Sequence, residues 1–413
     1  MQGAEAGGVR GLLGAPAVGR LWLAGIGAGV MRWLEMLAYS LWVYAETRSP
    51  LAVTLTAFAR MLPLLLLGAV AGALAERFDR RRLLCGWYVV LAAGSVVLAL
   101  LAARGTLSVP IVVGFALITG VFWAFETPLR RTMLAEAAGM GRVNASMGLE
   151  MTTNQVTRLA GPLIGGWLVG ASGIMGVFAL GAALYGAGAA LLFGLPGAAK
   201  QASGASHRNM LADLRDGFLF VRREPLVLAV VVSTALFNLW YMPYVSLAPV
   251  VAETTMHLSP GPIGVLVAAE GIGAIAGALW MATLARPQWF ALAYALGGTA
   301  IAAAALLFAL LADPVAGFVI LIVGGIGVAC FSTMQTTLML VAAPADKRVR
   351  VMGLMMVAIG TAPVGFLLAG SLAELAGPRR ALELIAAFGV LSMLACMFIW
   401  PELRRLKAPH ANK

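Results

Sequence analysis

Apolar residues run along this chain in blocks of about twenty, parted by short clusters of charged or turn-forming residues. A block of that length crosses a hydrocarbon core about 30 Å thick as a single α-helix. Reading the blocks between their breaks predicts twelve spans, at 19–45, 51–75, 83–103, 108–128, 144–170, 173–195, 225–251, 260–285, 288–311, 315–341, 351–375 and 380–400. The pattern is all-α and leaves no room for a separate soluble domain. One interval departs from it: residues 196–224, "PGAAKQASGASHRNMLADLRDGFLFVRRE". Its first part is small and polar, as in a flexible linker. From Asn209 onward, Met210, Leu211, Leu214, Phe218 and Val221 recur at helical spacing opposite Asp213, Arg215 and Asp216, which predicts an amphipathic helix lying on the membrane surface.

The linker splits the spans six and six, giving a first bundle at 1–195, a linker at 196–224 and a second bundle at 225–413. Short words repeat across it at one offset of 205 residues: "AGAL" at Ala71 and again at Ala276, "MGL" at Met147 and again at Met352, and Gly165 with Gly370. Each pair falls on the same span of its half. Two six-span halves running in the same direction are the parallel repeat of a transporter, with a binding cavity between them near the midplane.

Composition agrees. Of the 413 residues 61% are apolar, against about 45–50% in a soluble domain, and the mean hydropathy is +0.92. Residues 1–20 carry Glu5, several glycines and Pro16, unlike a cleavable signal, so the first span is expected to target the chain. Cys85, Cys330 and Cys396 are far apart inside apolar runs and His207, His257 and His410 are scattered. No metal or disulfide framework is expected, nor any other cofactor, and the lack of a P-loop pattern argues against ATP hydrolysis.

Charge sets the orientation. The 29 lysines and arginines fall mostly in alternate segments: the N-terminus, the loops after spans 2, 4, 8 and 10, the linker and the tail. The other loops hold only Arg48, Arg104, Arg379 and Arg380. By the positive-inside rule both termini are cytoplasmic, and the net charge of +11 reads as a basic face toward anionic lipid rather than a nucleic-acid surface. Nothing in the pattern requires an oligomer.

The segment "GALAERFDRRR", Gly72 to Arg82, packs six charged residues between spans 2 and 3. Gly72, an acid at Glu76, Arg77, and then Arg80, Arg81 and Arg82 resemble the loop between helices 2 and 3 of the major facilitator superfamily, with Glu76 where aspartate is usual and Asp79 where glycine is usual. "RLAGPLIGG", Arg158 to Gly166, is similar to the Gly-Pro-x-x-Gly-Gly element of exporters in that superfamily. "FETPLRRTMLAE" and "LRDGFLFVRREP" resemble the branch of bacterial siderophore exporters and macrolide-type efflux pumps. The resemblance implies a bacterial cytoplasmic (inner) membrane location and a gate in which Glu76 and Arg80 pair with an acid at the inner end of span 4. Glu126 is the only acid in the predicted span 4. Gly72, Glu76, Arg77, Arg80 and Glu126 are therefore the expected cytoplasmic gate; the second-half counterpart, "GALWMATLARPQ", keeps Arg286 and no acid.

Ionisable groups within spans cost at least about 2.5–3.5 kcal/mol at the bilayer centre and face a partner or a cavity. Arg32 and Glu35, three apart in span 1, share a face and read as a buried ion pair or as a proton site at Glu35. Span 2 adds Arg60. In span 5, Glu150, Asn154 and Arg158 step along one face, with Gln155 beside them, toward Gly161, Pro162, Gly165 and Gly166, where Pro162 predicts a bend. Glu270 stands alone in the apolar "VLVAAEGIGA", an environment that favours its neutral form. Glu35, Glu270 and Glu150 are the proton-coupling candidates. Arg32, Arg60, Asn154, Gln155, Arg158, Asn238, Tyr241, Tyr244 and Gln335 are the candidates for lining a substrate cavity, and Arg158 also reads as a lock between helices. Glu253 and Glu374 read as solvated rim residues.

These readings point to a secondary transporter, not an enzyme, since the deep acids are scattered over spans 1, 5 and 8. The expected partners are a small-molecule substrate, H⁺ and membrane lipid, with no nucleic acid. Proton-coupled export of an amphipathic molecule, neutral or anionic, such as a siderophore or drug comes first; a lipid or metabolite flippase, an importer, or a non-transporting receptor on the same fold are the alternatives.

Overall fold

The computed structural model describes residues 15–77, 79–139, 142–195, 219–284, 286–344 and 347–404, without the side chains of 68–77, Asn144, Leu284 and Val349. Among the described residues every regular element is a helix. Span 1 is Pro16–Thr47, span 2 Pro50–Arg77, span 3 Arg80–Ala103 and span 4 Val109–Ala138. Spans 5 and 6 form one continuous stretch, Val143–Phe193. At 1.5 Å per residue that stretch would run about 75 Å, more than twice the hydrocarbon core. Gly173 breaks it with dihedrals (φ 61°, ψ −160°) open to a residue without Cβ. Among the described residues, eleven helical stretches are long and apolar enough to cross a membrane, and the break at Gly173 makes twelve crossings of them.

Span 7 is Pro225–Trp240 followed by Met242–Thr254, span 8 Pro260–Leu284, span 9 Phe290–Leu311, span 10 Pro314–Ala342, span 11 Arg348–Ile359 followed by Ala362–Ala376, and span 12 Pro378–Ile399. Spans 7 and 11 are interrupted near their middles, where Pro243 and Pro363 lack the N–H that would continue the helical ladder. The two interruptions are tied: the Thr361 hydroxyl donates to the Ala235 carbonyl at 2.7 Å. Proline in the first turn starts spans 1, 4, 8, 10 and 12, where a missing N–H costs nothing. The Asp79 and Asp313 carboxylates cap spans 3 and 10 by accepting from the N–H of Arg82 (3.1 Å) and Ala316 (2.7 Å).

One position differs from the expectation: span 4 continues through Pro128 to Ala138 instead of ending there, so Glu126 lies well inside the helix and Glu136 lies in its last turn. Span 5 carries Pro162 inside the helix, and the break to span 6 comes at Gly173, where the expected boundary lies. Of the predicted surface helix, residues 209–218 lie outside the described residues, and 219–223 are helical.

Buried apolar side chains form two large clusters, one drawn from spans 1 to 6 and one almost wholly from spans 7 to 12. The halves meet where span 5 packs on span 8, span 2 on span 11 and spans 1 and 2 on span 7. The 205-residue repeat has a structural counterpart in two glycines. A Cβ on Gly120 of span 4 would fall on the carbonyl of Arg60 in span 2, and one on Gly325 of span 10 would fall on the carbonyl of Glu270 in span 8. Small residues let helix backbones approach this closely. Gly120→Val and Gly325→Val are each expected to destabilise the protein by about 3 kcal/mol, read as a lower melting temperature in detergent; wild-type melting of either variant would show that the contact can relax.

Candidate functional site

Charged side chains in the membrane interior gather into three networks. Alternate loops place the charged loop ending at Arg82 and the start of span 5 at one end of the molecule, here the basic end, and the span 1–2, 7–8 and 11–12 turns at the opposite end.

The first network closes the two halves on each other. Arg158 of span 5 is in direct contact with Glu270 of span 8. The Tyr241 hydroxyl, at the interruption of span 7, donates to the same carboxylate at 2.8 Å. Tyr241 stacks on Phe237 (4.7 Å between centroids) and on Tyr244 (5.3 Å), and the Arg158 guanidinium lies 4.7 Å from the centre of the Trp33 ring. Glu270 is thus an ionic partner of the other half, not the isolated carboxyl its apolar neighbours in sequence imply. Above this pair, span 5 and span 8 touch backbone to backbone: a Cβ on Gly166 would meet the Pro260 carbonyl, and one on Gly264 the Pro162 carbonyl. Gly161 and Gly165 do the same against Leu34 of span 1. These glycines bring helices together along the stretch that holds Pro162.

The second network lies within the first half. Glu35 of span 1 is fully buried and accepts from Arg60 of span 2 at 2.8 Å and from the Tyr185 hydroxyl at 3.2 Å. Arg60, 2% exposed, also donates to the Arg32 carbonyl at 3.1 Å, with its guanidinium 3.9 Å from the centre of the Trp123 ring. Arg32 does not pair with Glu35. It turns toward span 4, where it lies 3.6 Å from Glu126 and donates to Thr127 at 3.1 Å, with Trp123 again under the guanidinium at 4.6 Å. A three-residue spacing leaves two side chains about 60° apart around the helix axis, enough for one to face span 2 and the other span 4.

The third network continues from Glu126 toward the basic end. Arg130 contacts Glu126 and donates to both oxygens of Glu150 at 2.5 and 2.6 Å, and Arg131 lies 3.7 Å from Glu150. Gly25, Gly29, Arg32, Asn154 and Thr157 complete a cleft around these charges. Arg130 was hidden by reading Pro128 as the end of span 4; once the helix continues, Glu126 and Arg130 stand at i, i+4.

The expected gate has different partners. Arg80 pairs with Glu136 at 2.5 Å, while Glu126 is held by Arg32 and Arg130, because the extra turns of span 4 carry Glu126 away from the basic end. Gly72, Glu76 and Arg77 are described in their backbone alone. Two of the predicted cavity residues sit apart from the cross-half site: Asn238 donates to the Thr234 carbonyl at 2.9 Å and Gln335 to the Thr234 hydroxyl at 2.7 Å. Gln155 is half-buried. Glu374, expected at a solvated rim, accepts from the Ser49 hydroxyl at 2.8 Å and the Leu51 N–H at 3.3 Å, and Glu253 lies 3.6 Å from Arg48. Both contacts join the halves at the opposite end.

The chain matches the family model described as transmembrane secretion effector over residues 13–412. It is 27% identical over 403 residues to the multidrug efflux pump Tap of Mycolicibacterium fortuitum, covering 93% of this chain and 95% of that one. It is 27% identical over 395 residues to the enterobactin exporter EntS of Citrobacter koseri, covering 93% and 89%. Similarity to an uncharacterized MFS-type transporter of Bacillus subtilis, 27% over 200 residues, takes in 48% of this chain and only 47% of the relative. Among solved structures, the nucleoside transporter NupG superposes with a TM-score of 0.76 at 12% identity, covering 93% of this chain and all of that one.

Proposed function

The chain belongs to the transmembrane secretion effector family of major facilitator transporters, and from that premise we propose that it exports an amphipathic small molecule in exchange for protons. Tap and the enterobactin exporter, similar over nearly the whole length, support the direction and the substrate class. The observation that carries the coupling is the buried Arg158–Glu270 pair. Glu35 and Glu150 find their arginines within their own half, so rocking of rigid halves leaves those pairs intact. Glu270 is bound to a cation of the other half, and any motion that separates spans 5 and 8 at this depth strips it away. A carboxylate losing its cation in a low-dielectric setting gains affinity for a proton.

The positive-inside distribution supports placing the basic end in the cytoplasm. The cross-half contacts of Glu253, Glu374 and Gly264 then hold the outer side shut, and the cleft around Arg32 and Asn154 faces the cytoplasm. Alternating access would open spans 5 and 8 at the outer side, break Arg158 from Glu270 and load a proton from outside.

Everted vesicles test the coupling. A lumen one pH unit more acid than the medium supplies about 1.4 kcal/mol per proton, or about tenfold accumulation at one-for-one exchange. Uptake of ethidium into such vesicles is expected to approach that factor and to collapse with a protonophore. Uptake that ignores the gradient would remove proton coupling from the reading.

A further inference from the structure

Beside the backbone contact of Gly166 with Pro260 and Gly264, spans 5, 8 and 10 leave a groove of about 580 Å³. Its walls include Leu163 and Trp167 of span 5, Gly261 and Val265 of span 8, and Val315 and Phe318 of span 10. The volume is that of a small-molecule site, about 300–1,000 Å³, yet among the described residues no charged side chain lines it. Trp167 stands nine residues from Arg158, about 180° around the helix, so it points away from the interior networks. Trp167 is 67% and Val315 75% exposed, and the groove therefore opens on the bilayer-facing surface. Its depth follows from the turns: Trp167 is six residues, about 9 Å, from the break at Gly173, and spans 8 and 10 start at the same end. That end is opposite the basic one.

We propose that this groove holds an acyl chain of a phospholipid from the leaflet opposite the basic end, lodged across the seam between the halves. The groove continues the span 5–span 8 interface out to the hydrocarbon, and it gives no polar partner to the polar part of an amphipathic substrate. A helix of a second copy, about 10 Å across, is too thick to enter it. The two walls belong to different bodies. Gly161 and Gly165 tie span 5 to span 1, while Gly273, whose Cβ would fall on the Ile322 carbonyl, and Gly325 tie span 8 to span 10. The groove keeps its shape only while spans 5 and 8 are together, so a chain in it favours that conformation. This link to conformation rests on the transporter reading above; the site itself does not.

Photolabelling tests this on the full-length protein in phosphatidylcholine vesicles carrying a trace of phosphatidylcholine with a diazirine on one acyl chain. After irradiation, adducts are mapped by peptide mass spectrometry. Labelling of Leu163, Trp167 and Val265 is expected to exceed that of Val89, Val90, Val96 and Val97, exposed on span 3, by about fivefold. The factor is modest because fit and dispersion, not release of water, drive association in hydrocarbon. A Cβ on Gly261 would meet no atom within 4 Å among the described residues, so Gly261→Phe fills the groove from span 8 without a clash, and Val315→Trp fills it from span 10. Either is expected to erase the excess while span 3 labels as before. Even labelling in the wild type, labelling below that of span 3, or an excess that survives both substitutions overturns the site. The link to conformation is read in Glu270→Gln, where parting of spans 5 and 8 is expected to remove both the excess and gradient-driven ethidium uptake. An excess kept while uptake is lost overturns the link and leaves the transporter reading standing; an excess kept with wild-type uptake overturns the coupling role of Glu270, and the link with it.

Discussion

Glu270→Gln is expected to reduce proton-driven transport at least about 100-fold and to flatten its pH dependence. The substitution keeps the shape of the side chain and a hydrogen-bond acceptor for Tyr241, but leaves Arg158 buried without its counter-charge. Breaking a buried pair from one side costs about 3–5 kcal/mol. The contact joins the two halves, so that cost falls on the conformation in which spans 5 and 8 are together and shifts the population away from it by about two to three and a half orders of magnitude. The double variant Arg158→Gln with Glu270→Gln removes both charges and is expected to recover melting temperature close to wild type, yet not proton-driven flux. The two readouts separate a structural bridge from a coupling residue. Wild-type pH dependence of ethidium uptake in Glu270→Gln would assign the bridge to packing alone.

What could be read from the chain and what could not divide along one physical line. Span positions follow from the cost of polar groups in hydrocarbon, which every residue of a span reports, so the twelve crossings emerged with modest errors at their ends. Pairings depend on which neighbour a side chain faces, and spacing along a single helix does not say. Arg32 and Glu35 illustrate this: their spacing put them on one face, but Trp123 and Glu126 draw Arg32 toward span 4 while Arg60 takes Glu35. Arg158 and Glu270 were each visible as costly residues, yet their union joins positions 112 residues apart. Pro128 misled for a different reason. A proline marks a lost hydrogen bond, and in a span packed on its neighbours the helix continues past it, which hid Arg130 and moved the end of span 4 to Ala138.

Arg130 is where the second large effect is expected. One guanidinium serves two buried carboxylates, Glu126 and Glu150, and thereby joins spans 4 and 5, while Glu126 passes the network on to Arg32 in span 1. Arg130→Met leaves Glu126 with Arg32 at 3.6 Å and Glu150 with Arg131 at 3.7 Å, neither close enough for a good charge-assisted hydrogen bond. A loss of about 4 kcal/mol is expected, seen as a large fall in melting temperature and in monodisperse yield. Glu150→Met alone is expected to cost less, about 3 kcal/mol, because Glu126 still compensates Arg130. The double variant removes one charge of each sign and leaves Glu126 and Arg32 to neutralise each other, so its cost is expected to fall short of the sum of the two singles by at least about 2 kcal/mol. Additive losses would mean that Arg130 and Glu150 are adjacent without being coupled. Strong coupling here, with transport retained in whatever protein folds, would mark this ladder as the fixed wall against which the Arg158–Glu270 bridge opens.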